Sequence, residues 1–198
     1  MREVELKAAV ADLAGARARV EHAGARLAYE GRLEDRRYDA AERALAARDH
    51  VLRLRVYRTS GGVASAALDW KGPTGYADGY KVREELTAGV DDPDALATIL
   101  EQLGFVVTRE IHREIVQYEL GGATVRFERY PRMDVLVEIE GTPETIERAI
   151  DATGMPRAEF TSERLPAFVA RYEARTGERA ALCDRELAGD FRFSVDDA

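Results

Sequence analysis

Apolar residues recur at two spacings along the chain, and each spacing predicts a different element. Alternation marks strands. Val4 and Leu6 alternate with Glu3, Glu5 and Lys7; Leu52, Leu54 and Val56 alternate with Arg53 and Arg55. Further extended stretches are read at 26–39, 64–71, 80–86, 105–119, 123–129 and 134–140. Glycine pairs at 61–62 and 121–122 supply hairpin turns. Helical spacing occupies four other segments. Asp12 and Gly24 bracket the first, and Asp91-Asp92-Pro93 opens a second whose stripe is Leu96, Ile99, Leu100 and Leu103. Thr142-Pro143 opens a third that Gly154 ends; the last spans 163–176 with Leu165, Phe168, Val169 and Tyr172 inward. Residues 178–198 show no evident pattern and read as a loosely held, mobile C-terminal tail. The predicted class is α+β with a strand-rich centre.

Composition narrows the chemistry. With 198 residues, 45% hydrophobic and 33% charged, the chain is long enough for one sizeable core. A net charge of −8 argues against nonspecific binding to nucleic acid or anionic membranes. Cys183 is the sole cysteine, and His22, His50 and His112 are scattered, so neither a disulfide nor a zinc cluster is expected. No apolar run approaches membrane-spanning length and the charged N-terminus lacks a signal core, which makes the cytoplasm the expected compartment.

The charged strand faces carry the candidate chemistry. If the apolar faces pack on helices, the opposite faces collect Glu3, Glu5, Lys7, Arg53, Arg55, Asp69, Lys71, Lys81, Arg83, Arg126, Glu128, Glu138 and Glu140. A half-exposed sheet would have such a face. A closed sheet would instead turn it into a channel wall. That wall needs a highly charged ligand, and a polyphosphate with a divalent cation satisfies both signs: basic groups hold phosphate oxygens and carboxylates hold the metal. The alternating glutamates of 3–5 and 138–140 are the natural donors to such a cation.

The ordered motifs resemble the CYTH superfamily, the triphosphate tunnel metalloenzymes, over residues 1–177. Glu3-Val4-Glu5-Leu6-Lys7 is similar to its N-terminal E-x-E-x-K, and Glu34-Asp35-Arg36-Arg37-Tyr38-Asp39 to its Q-x-D-x-Y-[FY]-D segment. Leu52-Arg53-Leu54-Arg55 is similar to L-R-[IL]-R, Trp70-Lys71-Gly72-Pro73 to the conserved-lysine strand, Lys81–Glu85 to K-x-R-x-E, and Val137–Gly141 to V-E-I-E-G. Three departures stand out: Arg109 and Arg113 offer two arginines at wider spacing where the family often carries K-x-R, Glu128 occupies a usual aspartate position, and the link 129–134 lacks the usual glycines.

The resemblance implies a closed tunnel of about eight antiparallel strands flanked by helices. It implies that Glu3, Glu5, Glu128, Glu138 and Glu140 bind Mg²⁺ or Mn²⁺. Lys7, Arg53, Arg55, Lys71, Lys81 and Arg83, with Arg109, Arg113 and Arg126, would bind phosphate. Lys7, Arg53, Arg55 and Lys71 would act in catalysis. The implied activity is class IV adenylyl cyclase-like, ATP to cyclic AMP and pyrophosphate; the alternatives are a triphosphatase acting on inorganic, thiamine or nucleoside triphosphate, and a module that binds nucleotide or polyphosphate without turnover. Relatives are often dimers, so a homodimer is the expected assembly. Trp70, Tyr38 and Tyr76 read as packing or rim residues, His112 as an ordinary half-exposed histidine, and Cys183 as a tail residue. Of Arg36 and Arg37, strand parity turns one inward, where it could meet a terminal phosphate.

Overall fold

Strand alternation with one charged and one apolar face is stable only if the apolar face is covered, and in the computed structural model it is covered from outside. The structure describes residues 2–77, 80–189 and 191–193; the side chains of Arg2, Glu3 and Lys81 lie outside that description. The strands are β1 (Arg2–Ala9), β2 (Arg26–Ala40), β3 (Val51–Thr59), β4 (Gly62–Lys71), β5 (Gly75–Ala77), β6 (Tyr80–Gly89), β7 (Phe105–Leu120), β8 (Ala123–Arg129) and β9 (Leu136–Glu140). The α-helices are α1 (Leu13–His22), α2 (Pro93–Gln102), α3 (Pro143–Thr153), α4 (Leu165–Thr176) and α5 (Asp184–Ala188).

The sheet order is β1-β9-β8-β7-β2-β3-β4-β6, and β1 pairs again with β6. Eight antiparallel strands thus close into a barrel, with β5 outside on β6. The closing seam is short, Arg2↔Glu84 to Glu5↔Lys81. Beyond it Thr161 takes over the open edge, exchanging backbone hydrogen bonds with Lys7 at 2.9 Å.

Helices α1 and α3 cover one outer wall through Leu6, Val20, Val125, Phe127, Val137, Ile139, Ile146 and Ile150, all buried. Helix α2 covers β2–β4 through Leu54, Val56, Ala97 and Leu100. Their ends follow local rules: Asp92 caps α2 by accepting from Ala95 N at 2.9 Å, with Pro93 in the first turn. Gly154 ends α3 at φ 68°, a left-handed geometry that favours glycine. Gly141 is needed for approach: a Cβ there would lie 2.4 Å from Thr145 Oγ1.

The third apolar cluster lies at one barrel end. There Phe168, Val169 and Tyr172 of α4 pack with Ile111, Tyr130, Leu136, Ala180 and Leu182. Residues 180–183, inside the segment without evident pattern, are buried, Cys183 among them. They lie along the part of β7 that β8 does not pair: His112 N donates to Leu182 O at 2.7 Å, and Arg132 pairs with Ala181. A short run of small and apolar residues has no readable period, and its burial comes from a sheet edge distant in sequence. None of the helices among the described residues is long and apolar enough to cross a membrane.

Candidate active site

The closed barrel turns the charged faces inward around a cavity of about 200 Å³. Among the described residues, ten Lys or Arg and six Asp or Glu side chains line it, four more basic than acidic, in a chain that carries −8 overall. Burial of that many charges requires pairing, and the pairing runs continuously through the interior.

On the β1–β9 wall, Lys7 Nζ lies 3.0 Å from Glu5 and 2.5 Å from Glu138. Burial disfavours its charge, but Glu138 and Glu5 outweigh this and hold the ammonium above its ordinary range. Glu138 also accepts from Arg126, and Arg126 and Lys7 hold its carboxyl well below the usual range against the opposing effect of burial. Glu128, 0% exposed, comes next. Its Oε1 accepts from Arg126 Nε and Arg113 Nη1, both at 3.0 Å, and its Oε2 from the Tyr130 hydroxyl at 2.6 Å.

Arg113 continues to Asp35, which is 1% exposed. Asp35 accepts from Arg55 Nε at 3.0 Å and lies 3.6 Å from Arg53. Burial opposes its ionisation, yet Arg55, Arg113 and Arg53 hold it well below the carboxylate range. Arg53 donates to Asp69 Oδ2 at 3.1 and 2.7 Å, and Thr87 donates to Asp69 Oδ1 at 2.9 Å. Lys71 pairs with Glu85.

Arg37 sits in this wall between like charges, opposite Arg53 on β3 and Arg109 on β7. Burial and then Arg53 push its guanidinium down to about 9, against the pull of Asp35. At the cavity mouth, Asp49 adopts a left-handed backbone at φ 55°. Its carboxylate accepts from Thr74 N at 2.6 Å and from Arg164 at 2.9 and 3.1 Å. Arg83 donates to Asp49 O at 2.6 Å and Gly72 O at 2.7 Å, tying two loops together.

Of the residues singled out from sequence, Glu5, Lys7, Arg53, Arg55, Lys71, Arg83, Arg113, Arg126, Glu128 and Glu138 converge on this one cavity. Glu140 is half-buried, opposite Glu5 in the β1–β9 register. Arg109 turns toward the C-terminal segment, 3.4 Å from Glu186 and with its guanidinium carbon 5.7 Å from the Phe193 ring centroid. The side chains of Glu3 and Lys81 lie outside the described residues. Glu128, with both oxygens engaged, sits among arginines and a tyrosine. Among the described residues, no three His, Cys, Asp or Glu side chains are grouped to hold a metal by themselves.

Sequence reasoning passed over Asp35, Asp39, Asp49, Arg43 and Arg164, all of which line the cavity. Asp35 and Arg37 share strand parity, a signal that was present; Asp49 and Arg164 come from loops, which carry none. Trp70 stacks edge-on against His50 at 5.1 Å, Tyr38 is buried against α2, and Tyr76 is exposed. His112 faces Asp184 at 3.2 Å and Arg32 at 2.9 Å.

None of the curated proteins compared with the chain matches it. Solved structures do. A protein named as a candidate adenylate cyclase from Vibrio parahaemolyticus aligns with TM-score 0.71 at 18% identity, over 85% of this chain and 97% of its own. A protein from Pyrococcus horikoshii aligns with TM-score 0.68 at 22% identity, over 89% and 99%. A Hippeastrum protein, named as a candidate adenylyl cyclase with a dominant triphosphatase activity, aligns with TM-score 0.60 at 16% identity, over 91% and 98%. At these identities the likeness establishes the barrel fold. The model of the CYTH domain matches residues 1–149. Most of the chain, every strand of the barrel included, lies within that match, and the protein belongs to the CYTH family.

Proposed function

We propose that this chain is a divalent-metal-dependent enzyme that takes a linear triphosphate into the barrel and breaks one of its phosphoanhydride bonds. The leading reading is class IV adenylyl cyclase-like, with the ribose 3′-hydroxyl attacking the α-phosphorus and pyrophosphate leaving. The carrying observation is that the described side chains lining the cavity include four more basic than acidic groups inside a chain of −8. Such an excess is costly in a buried space without an anion, and a triphosphate supplies one of matching charge. The catalysis expected of such a site is mainly positioning and charge stabilisation. Arg53, Arg55 and Arg113 hold phosphate oxygens in rigid forks fixed by Asp35 and Asp69, so little reorganises as charge develops on the leaving group. Lys7 and Lys71 add point charges to the opposite side of the chain.

The donor chemistry fits a hard cation such as Mg²⁺ or Mn²⁺. Glu5 and Glu138 already share one positive group, the Lys7 ammonium, and Glu140 adjoins Glu5 in register. These three, with Glu3 by motif, would hold the metal, and substrate oxygens would complete its shell. Glu128 fits less well, because three donors occupy its oxygens. When bound, the cation would neutralise phosphate charge and lower the pKa of a water or hydroxyl.

One observation favours a second reading, hydrolysis by a triphosphatase. A cavity of about 200 Å³ is smaller than the ~300–1,000 Å³ pockets that bury drug-sized ligands. It has room for a phosphate chain, with any nucleoside left near the mouth. The test is incubation with ATP and, separately, tripolyphosphate, with Mg²⁺ or Mn²⁺, and chromatography of all products. The control is the Glu5→Gln, Glu140→Gln double variant. Cyclic AMP with pyrophosphate, lost in the variant, supports the cyclase. Phosphate release without cyclic nucleotide supports the triphosphatase, and tight binding without product leaves a binding module.

A further inference from the structure

The barrel closes over a short seam, and one strand outruns it. On one edge β6 pairs with β1 from Lys81 to Glu84; on the other it pairs with β4 from Glu85 to Gly89. Among the described residues, no strand lies against Leu86–Gly89 on the β1 side. The ladder fixes where the backbone groups of this stretch point. Val90 N donates to Ala66 O at 2.9 Å, in register with Ala67↔Gly89. Alternate residues of an antiparallel strand turn their amide and carbonyl to opposite edges. Leu86 and Ala88 therefore face β4 with theirs, and Thr87 and Gly89 turn theirs to the open edge. Thr87, Ala88 and Gly89 are exposed, and a Cβ built on Gly89 would meet nothing within 4 Å. Edges in soluble proteins are guarded by lysine, proline or a bulge; Leu86-Thr87-Ala88-Gly89 has none of these.

The surface beside this edge is apolar. On α2, Asp94 and Glu101 share one flank and Leu96, Ile99 and Leu103 the other. Asp94 lies beside Glu34, Arg36 and Arg58, so the acidic flank faces β2. The apolar flank faces β4 and β6, where Leu68 and Val90 join the same cluster as Leu96. Ile99 and Leu103 are more than half exposed, as is Leu86 on the outer face of β6. A chain of −8 repels its own copies, so copies can meet closely only where charge is absent, and here an open strand edge adjoins uncharged side chains. Glu85 turns inward to Lys71, and Glu84 and Asp91 stand at the two ends of the stretch.

We propose that a second copy of this chain docks on this face, β6 against β6, about a two-fold axis at Ala88. In that register Thr87 of each copy faces Gly89 of the other, and their free amides and carbonyls pair. Ala88 meets Ala88, and Leu86, Ile99 and Leu103 become covered. The contact is isologous, so one edge satisfies both copies. It continues the sheet where the seam stops and braces the strand that carries Arg83 into the cavity. A short edge and one helix flank offer less than the ~800 Å² per partner of a standard interface, so the pair is a weak, micromolar one.

The test is sedimentation equilibrium of the full-length protein across the micromolar range. It compares wild type with Ala88→Glu, Ala88→Lys and Gly89→Pro, and with Leu27→Glu, which alters an exposed leucine of β2, as the control. Wild type should form a concentration-dependent dimer that tightens with salt, as the acids at the ends are screened. Ala88→Glu and Ala88→Lys should each weaken association by about 5-fold or more, because like charges directly opposite destabilise a strand pair. An equimolar mixture of the two should recover it. Gly89→Pro removes an amide from the open edge and none from the β4 ladder, and should weaken association by about 10- to 100-fold. Leu27→Glu should leave it unchanged. At a dilution where wild type is monomeric, both Ala88 variants should melt as wild type does; a clear fall in both would make this stretch internal packing and overturn the proposal. Wild type that stays monomeric throughout overturns it as well. So does a dimer that the Ala88 and Gly89 substitutions leave intact, or a mixture that associates no better than its components.

Discussion

Replacing Asp35 by Asn tests whether the interior is a charge lattice held together by its few carboxylates. Asp35 is buried and is contacted by Arg55 and Arg113, with Arg53 at 3.6 Å. Asn keeps the shape but removes the charge, and it turns an amide donor toward three cations. Breaking a buried ion pair by removing one partner costs about 3–5 kcal/mol, because the remaining charge is left uncompensated. For a chain of 198 residues each kcal/mol moves the midpoint by roughly 2–4 °C, so a fall of about 6–20 °C is expected. The variant also has one more unbalanced positive charge, so added tripolyphosphate should raise its melting temperature by more than it raises that of wild type. Circular dichroism melts with and without tripolyphosphate, in EDTA, measure both effects. A ligand-free midpoint within about 2 °C of wild type, less than one kcal/mol, would refute the lattice argument. So would equal stabilisation of the two proteins by the anion.

Other consequences can be checked the same way. Asp35, Asp69 and Glu138 have folded-state pKa values depressed by arginines and Lys7 despite burial. Their stabilisation is therefore full above the unfolded values of about 3.9 and 4.3 and is lost as pH falls below them. Urea midpoints should decline steadily from about pH 4.5 downward, and a flat profile to pH 3 would contradict this. Glu128→Gln should lower the melting temperature by an amount comparable to Asp35→Asn, while Mn²⁺ affinity in the presence of tripolyphosphate stays unchanged; a large loss of Mn²⁺ affinity would make Glu128 a ligand after all. Leu182→Ala should cost about 2–5 kcal/mol, since its side chain is buried against Ile111 and α4. A change under half a kcal/mol in urea would show the C-terminal segment to be dispensable. Burial pushes the Cys183 thiol up, so it should react with a thiol reagent only after denaturation.

The barrel was legible because alternation is a local property. Lys7 shares parity with Glu5, Arg53 with Arg55 and Arg126 with Glu128, and a closed sheet sends that parity to one side. The helices were legible for the same reason: Thr142, Pro143 and Gly154 carry their capping chemistry with them. Strand β5 and helix α5 were not, since three and five residues are too short to show a period.

Which charges belong to one another is a different kind of information. Asp35 meets Arg113 across 78 residues and Arg32 meets Asp184 across 152, and no spacing along the chain encodes such a pairing. Arg109 illustrates the limit. Its strand and parity suit a phosphate ligand, yet Glu186 and Phe193 approach it from a segment without readable pattern. From sequence alone came ten of the charged residues of the inner wall and the oxygen-rich and nitrogen-rich character of the site, because these depend on side-chain type and a two-residue period. Only the tertiary structure decided which carboxylates neutralise arginines and where positive charge is left over, because burial couples every charge in the barrel to all of its neighbours at once.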